Sequence, residues 1–263
     1  MTSTRVGVTT DHADLESRAA ALSAELGLPR GADADALLVV TPERLEVRVQ
    51  RGDPTLVRAR PTWIDLTSLD TTSGPGRSLQ NPLLKAVGIR KGDPHRPAVI
   101  DLTAGFGEDA WLLAAAGCTV TACEQHPVLF ALLRDALRRA AATHPDLAAR
   151  IRLHHADAVT WLARSDIDHR QTRILYLDPM FPAKRKTAQR KPMRLARLLL
   201  GQDEAAAEAA TARLFAAALG AGGRRVVVKR PAKAPPLTPA MAQPVASHAG
   251  RALRFDVYGP AAK

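Results

Sequence analysis

From Ala98 onward, short runs of β-branched and apolar residues alternate with longer Ala- and Leu-rich stretches of helical period, and this alternation leaves few folds open. Strands are predicted over Val99–Leu102, Thr119–Cys123, Ile151–His154, Ile174–Leu177 and Arg225–Lys229. Between them, helices are predicted over Glu108–Ala116, Val128–Ala142, Ala158–Arg164 and Asp203–Leu219. Strands apolar on both faces, joined by crossovers of helical length, belong to parallel sheets covered by helices. The expected class is α/β, with a doubly wound, mainly parallel sheet. Right-handed crossovers gather the carboxyl ends of its strands along one edge, where such sheets bind ligands.

Before Pro97 the texture differs. A helix is predicted over Leu15–Leu26, strand-like runs over Ala36–Val40 and Leu45–Gln50, and a short run over Thr62–Leu66, followed by the loop TTSGPGRSLQNP. This reads as a small N-terminal α+β cap, residues 1–96, joined through GDPHRP to the main domain, residues 97–263. After the turn-rich PAKAPPLTPAMAQP, the stretch RALRFDVYG reads as one last strand.

The chain has 263 residues, 46% of them hydrophobic, enough for a sizeable core. Its formal net charge of +11 favours a polyanionic partner such as nucleic acid. No run matches a membrane span, and the N-terminus lacks the apolar segment of a secretory signal, so a cytoplasmic protein without membrane contact is expected. Cys118 and Cys123, at either end of one predicted strand, are too far apart to bridge and read as core residues. Their spacing with His154 and His155 matches no standard ligand pattern, so no metal is expected.

Chemistry enters with VIDLTAGFGEDAWLL, which runs strand, glycine turn, helix. Gly105 and Gly107, followed by Glu108 and Asp109, let the backbone approach a ligand at a helix N-terminus. Glu124 ends the second strand, where a carboxylate can accept from both hydroxyls of a ribose. These features indicate an adenosine-type cofactor, NAD or S-adenosylmethionine. Two acids favour the second: Asp157, after the third strand, can accept from an adenine amino group, and Asp178 closes the fourth strand in the corner Asp178-Pro179-Met180-Phe181. A dehydrogenase has no evident use for that corner. An enzyme that methylates an exocyclic amine does: the Asp178 carboxylate and the Pro179 carbonyl can accept both amine protons, while Phe181 stacks on the base.

Together, DLTAGFGEDAWLLAAAGCTVTACEQHP, YLDPMFPAKRK, RRVVVKRPAKAPPL and LRFDVYG, in this order, resemble the bacterial small-subunit ribosomal RNA guanine-N2 methyltransferases of the RsmJ family. The likeness extends back through LLVVTPERLEV and LLKAVGIRKGD. It implies a Rossmann-like class I methyltransferase sheet and S-adenosylmethionine as cofactor. The implied activity is methylation of one guanine N2 near the 3′ end of 16S ribosomal RNA. It also implies cofactor contacts at Glu108, Asp109, Glu124, Gln125, Asp157, Ala158 and Asp178.

Between Phe181 and Gln202 there is no acidic residue, while Lys184, Arg185, Lys186, Arg190, Lys191, Arg194 and Arg197 are cationic. These residues, with Lys229, Arg230 and Arg77 on the rim, are expected to contact phosphates of 16S ribosomal RNA or of the small ribosomal subunit. Two other readings share these features: an adenine-N6 or cytosine-N4 nucleic-acid methyltransferase, and a non-catalytic RNA-binding or ribosome-assembly protein on the same fold. Cofactor binding separates the last from the others, and the identity of the methylated nucleoside separates the first two.

Overall fold

The computed structural model describes residues 4–71, 81–164, 173–180, 190–201, 203–237 and 242–259. Its first unit contains β1 (Val6–Thr10), α1 (Glu16–Leu26), β2 (Ala36–Val40) and β3 (Leu45–Val49), followed by the short helices α2 (Pro54–Val57) and α3 (Pro82–Ala86). β1 pairs parallel with β2, and β2 antiparallel with β3, in a three-stranded sheet. β1 was not expected from the sequence. Its VGVTT is short and holds Gly7, where a Cβ would lie 2.4 Å from the Gly31 carbonyl oxygen, so a close backbone approach, not strand propensity, selects that residue. The Thr62–Leu66 run is not a strand. Thr62 alone exchanges hydrogen bonds with Val47, and Asp65 then caps a 3₁₀ turn at Leu66–Ser68 that diverts the chain.

The second unit runs β4 (Ala98–Asp101), α4 (Glu108–Ala115), β5 (Thr119–Glu124), α5 (Pro127–Ala140), α6 (Pro145–Ala148), β6 (Ile151–His155), α7 (Ala158–Leu162), β7 (Arg173–Leu177), α8 (Lys191–Leu200), α9 (Glu204–Gly220), β8 (Arg225–Pro231), β9 (Ala246–Ala249) and β10 (Leu253–Tyr258). Seven strands form one sheet in the order β6-β5-β4-β7-β8-β10-β9. Pairing is parallel from β6 through β8, and β10 enters antiparallel between β8 and β9. The strands read from the sequence are present with ends shifted by one or two residues at most, and RALRFDVYG contains β10.

Side-chain alternation sorts this sheet into two faces. Val99, Val120, Ile174 and Val227 lie in one buried cluster with α4 and α5, and that cluster continues into Val8, Leu38 and Val47 of the first unit. Ile100, Leu175, Val226 and Val228 face the other way, against Trp161 of α7 and Phe215 of α9. Residues on both sides of position 96 therefore share one core.

Asp135 on α5 ties the two units. Its carboxylate is buried and accepts from the Leu45 backbone N–H at 3.0 Å, from Arg139 at 2.8 Å and from Arg138 at 3.0 Å. Burial raises its pKa, but these donors, Arg139 foremost, outweigh burial and hold it below the ordinary carboxylate value. Arg139 reaches on to the Ile64 carbonyl. Both cysteines are buried, and burial pushes their thiols up to about 11 for Cys118 and about 12 for Cys123, so they stay protonated. Among the described residues no helix is long and apolar enough to cross a membrane.

Candidate active site

The chain leaves β4 toward β5 and β6 on one side and returns on the other to β7 and β8, so strand order reverses between β4 and β7. The crevice at their carboxyl ends is where an open α/β sheet takes its ligand. The glycine turn is fastened across it: Leu102 N–H donates to the Tyr176 carbonyl of β7 at 2.9 Å, and Ala104 N–H to the Cys123 carbonyl of β5 at 3.0 Å. Gly107 caps α4 with φ of 76°, and a Cβ there would lie 2.4 Å from Leu133 Cδ1 of α5. The positive φ favours glycine at this position, and any side chain there would also have to displace Leu133. At Gly105, also left-handed with φ of 54°, the Cβ direction is open except for the Thr103 carbonyl oxygen at 3.7 Å.

Glu124, the last residue of β5, is buried and holds this turn. One carboxylate oxygen accepts from Gly105 N–H at 2.8 Å and the other from His126 N–H at 2.7 Å. Burial raises its pKa, with those backbone donors opposing. The neighbouring Gln125 turns its carbonyl toward the His155 ring. Asp157 also has a structural task, the N-cap expected of an Asp directly before a helix: its Oδ1 caps α7, accepting from Thr160 N–H at 2.8 Å and the Thr160 hydroxyl at 2.9 Å. Ala158 opens that helix and is buried.

Beside the turn lies a compact ionic cluster. The Lys229 ammonium of β8 donates to Asp109 at 2.7 Å and to Asp178 at 2.9 Å, and the Tyr176 hydroxyl donates to the same Asp109 oxygen at 2.6 Å. Asp178 N–H donates to Thr103 Oγ1 at 2.7 Å, which fixes the Asp178-Pro179 corner to the glycine turn. Thr103 N–H in turn donates to buried Asp101 at 3.0 Å. Burial pushes the Asp101 carboxyl up to about 8, opposed by that N–H and raised further by Asp109 and Asp178, so it is mostly protonated at neutral pH. Burial likewise pushes Asp178 up to about 6, with Lys229 opposing and Asp109 adding to the rise. Burial lowers the Lys229 pKa, but Asp109 and Asp178 together carry it above its ordinary value, so the ammonium keeps its proton.

Several expected roles change. Lys229 does not lie on an RNA-facing rim; its ammonium is committed to two carboxylates. Arg230 is buried, with its guanidinium on the Pro235 carbonyl at 2.7 and 3.1 Å. Both point inward because β8 lies within the sheet, between β7 and β10, where each face of the strand is covered. Lys191 and Arg194 belong to α8, a helix not expected from the sequence, and they hold the first unit. Lys191 donates to the Arg60 and Pro61 carbonyls, and Arg194 pairs with Asp53 at 2.6 Å. Arg190 is exposed, 3.8 Å from the Glu108 carboxylate at the start of α4. Phe181, Lys184, Arg185, Lys186 and Arg77 lie outside the described residues.

Tyr176, Thr103 and Asp101 were not singled out by the sequence. Tyr176 precedes Asp178 by two and so shares its face of the strand, the one signal that could have marked it.

The donor set suits S-adenosylmethionine. Glu124 stands at the end of β5 with both carboxylate oxygens oriented, the Gly105 side of the turn is open to an approaching ligand, and the carboxylates of Glu108, Asp109 and Asp178 outnumber the Lys229 and Arg190 cations beside them, which suits a cationic cofactor.

Comparison with known proteins agrees. Residues 21–260 match the family described as SAM-dependent methyltransferase. The ribosomal RNA small subunit methyltransferase J of Thioalkalivibrio sulfidiphilus is 40% identical, over 98% of this chain and 99% of that protein. The protein of the same name from Serratia proteamaculans is 42% identical, over 85% and 86%. Among solved structures, the SAM-dependent methyltransferase NGO1261 of Neisseria gonorrhoeae superposes with a TM-score of 0.67 at 30% identity, covering 97% of this chain and 96% of that one. With a family match across most of its length and relatives of this identity over nearly all of it, the chain belongs to the ribosomal RNA small subunit methyltransferase J family of S-adenosylmethionine-dependent methyltransferases.

Proposed function

We propose that this enzyme methylates the exocyclic N2 amine of one guanine near the 3′ end of 16S ribosomal RNA. The observation that carries the reading is the Asp178-Pro179 corner, held at the carboxyl end of β7 by Thr103 and set beside the glycine turn. An exocyclic amine on a purine is a poor nucleophile because its lone pair is delocalised into the ring. Two acceptors on its N–H bonds, the Asp178 carboxylate and the Pro179 carbonyl, hold the nitrogen and favour the pyramidal form whose lone pair can attack. S-adenosylmethionine, when bound, supplies an electrophilic methyl group. The methylated amine is cationic and sheds its proton readily, so alignment dominates and no strong base is needed.

Glu124 is the acceptor for the ribose hydroxyls of the cofactor, and Asp157 for its adenine amine through the oxygen that does not cap α7. Gln125 and Ala158 border the same crevice. Phe181 follows the corner by two residues and is assigned to stack on the flipped guanine. Grip on the RNA falls to Arg190 and to the preceding Lys184, Arg185 and Lys186, consistent with the net charge of +11. The names of the relatives, ribosomal RNA small subunit methyltransferases, support the choice of substrate.

Mass spectrometry of small-subunit ribosomal RNA from cells with and without the gene tests the reading. Loss of one N2-methylguanosine is expected. Loss of an N6-methyladenosine or N4-methylcytidine instead would transfer the corner to another base.

A further inference from the structure

At the amino-terminal edge of the sheet, opposite the candidate active site, a cavity of about 110 Å³ is lined by Gly88, Arg90, Asp93, His95, Arg224 and Arg225, among others. That is several times the ~30 Å³ share of one water molecule. Its floor is the start of β7 and β8, where Ile174 pairs with Arg225.

Arg225 is 9% exposed, and its guanidinium is only partly satisfied. Nη1 donates to the Ala86 carbonyl at 2.9 Å, whereas Nε is buried and has no hydrogen-bond partner among the described residues. The group is also held in place: Gly88, at φ of +87°, lies so close that a Cβ there would be 3.3 Å from Arg225 Nη1. Exposed Arg90 and Arg224 flank it. Burial, and then repulsion from Arg224 and Arg90, lowers the Arg225 pKa below the ordinary arginine value. The one carboxylate on the lining, Asp93, is turned to the His95 backbone N–H at 2.8 Å. Three arginines on the lining of one polar cavity, against one carboxylate already engaged, suit a phosphate group.

The geometry points to this cavity as a second phosphate-binding site, which takes a backbone phosphate of the substrate RNA remote from the target guanine. The RNA source rests on the proposed function; the anion chemistry does not. Ile174 and Asp178 are four steps, about 13 Å, apart along β7; because helices cover both faces of this central strand, RNA that reaches both ends must pass around the outside of the domain. Such an anchor would set the register of the RNA without reading its sequence.

The test uses the full-length protein and the double variant Arg90→Ala/Arg224→Ala, both substituted residues being exposed, and has two arms. In the first, inorganic phosphate at constant ionic strength should raise the melting temperature of the wild type, and this rise should vanish in the variant. In the second, affinity for an RNA spanning the 3′ end of 16S ribosomal RNA is followed against salt. The slope of log affinity against log salt should become shallower by roughly 0.7 to 0.9, the value for one phosphate that the variant no longer neutralises. KM for RNA should rise while kcat at saturating RNA and the affinity for S-adenosylmethionine stay unchanged. No phosphate response together with an unchanged slope overturns the site. A phosphate response with an unchanged RNA slope overturns the RNA source and assigns the cavity to free phosphate. A wild type that shows the phosphate response yet binds no RNA overturns the proposed function and upholds the anion site.

Discussion

The Lys229 ammonium lies 2.9 Å from the Asp178 carboxylate just past the end of the neighbouring strand, and this ion pair governs the pH at which the corner can act. Asp178 must be ionised to accept amine protons, yet burial pushes it up to about 6, and Lys229 is the chief group opposing that rise. In the wild type, kcat/KM should therefore fall about tenfold per pH unit below about 6. Removing the ammonium with Lys229→Met should move this acid limb upward by about one to three pH units. A pH profile of kcat/KM checks it. A limb that stays in place would reduce Lys229 to a packing role.

Asp101 supplies a separate test, on stability. Its pKa is about 8 in the folded protein, against an ordinary 3.8. Between those values the folded state keeps a proton that the unfolded chain has shed, so stability should fall as pH rises through this window. The slope attributable to this group approaches about 1.4 kcal/mol per pH unit. Asp101→Asn keeps an acceptor for Thr103 N–H and removes the titration. The difference in unfolding free energy between wild type and variant should thus change steadily from pH 5 to pH 8. A difference that is constant across that range would show that Asp101 does not titrate there.

Glu124 joins two functions that one substitution should disturb together. Glu124→Ala leaves the N–H groups of Gly105 and His126 without their carboxylate, which should lower stability by about 1.5–3 kcal/mol. The same change removes the proposed ribose acceptor and lets the glycine turn relax, so calorimetry should show at least tenfold weaker S-adenosylmethionine binding, since a single charged hydrogen bond corresponds to about that factor. Unaltered cofactor affinity in a destabilised protein would confine Glu124 to a structural role.

How far the sequence revealed this arrangement depends on the range of the forces involved. The parallel strands were legible because each is apolar on both faces, and Glu124, Asp157 and Asp178 could be placed because each directly follows such a run. β1 was not, since VGVTT becomes a strand only by pairing with residues some thirty positions later. α8 was obscured by its charge. Leu195 and Leu199, four apart, and Pro192 near its start are ordinary helix signals, and the cations drew attention away from them. The fate of Lys229 and Arg230 was out of reach, because a Lys-Arg pair reads as surface until β7 and β10 are known to flank it. Likewise, the acid partners of the basic stretch come from distant positions, Asp53 for Arg194 above all.

The most direct test of the central claim is methyl transfer by the purified enzyme to small-subunit ribosomal RNA, with nucleosides resolved by mass spectrometry, for the wild type and Asp178→Ala. The wild type should produce N2-methylguanosine at a single site. The variant, folded and at saturating cofactor, should be slower by about two to three orders of magnitude, the drop expected when one oriented group at the reacting atom is removed. Wild-type product on any other base, or a variant that retains substantial activity, would contradict the account.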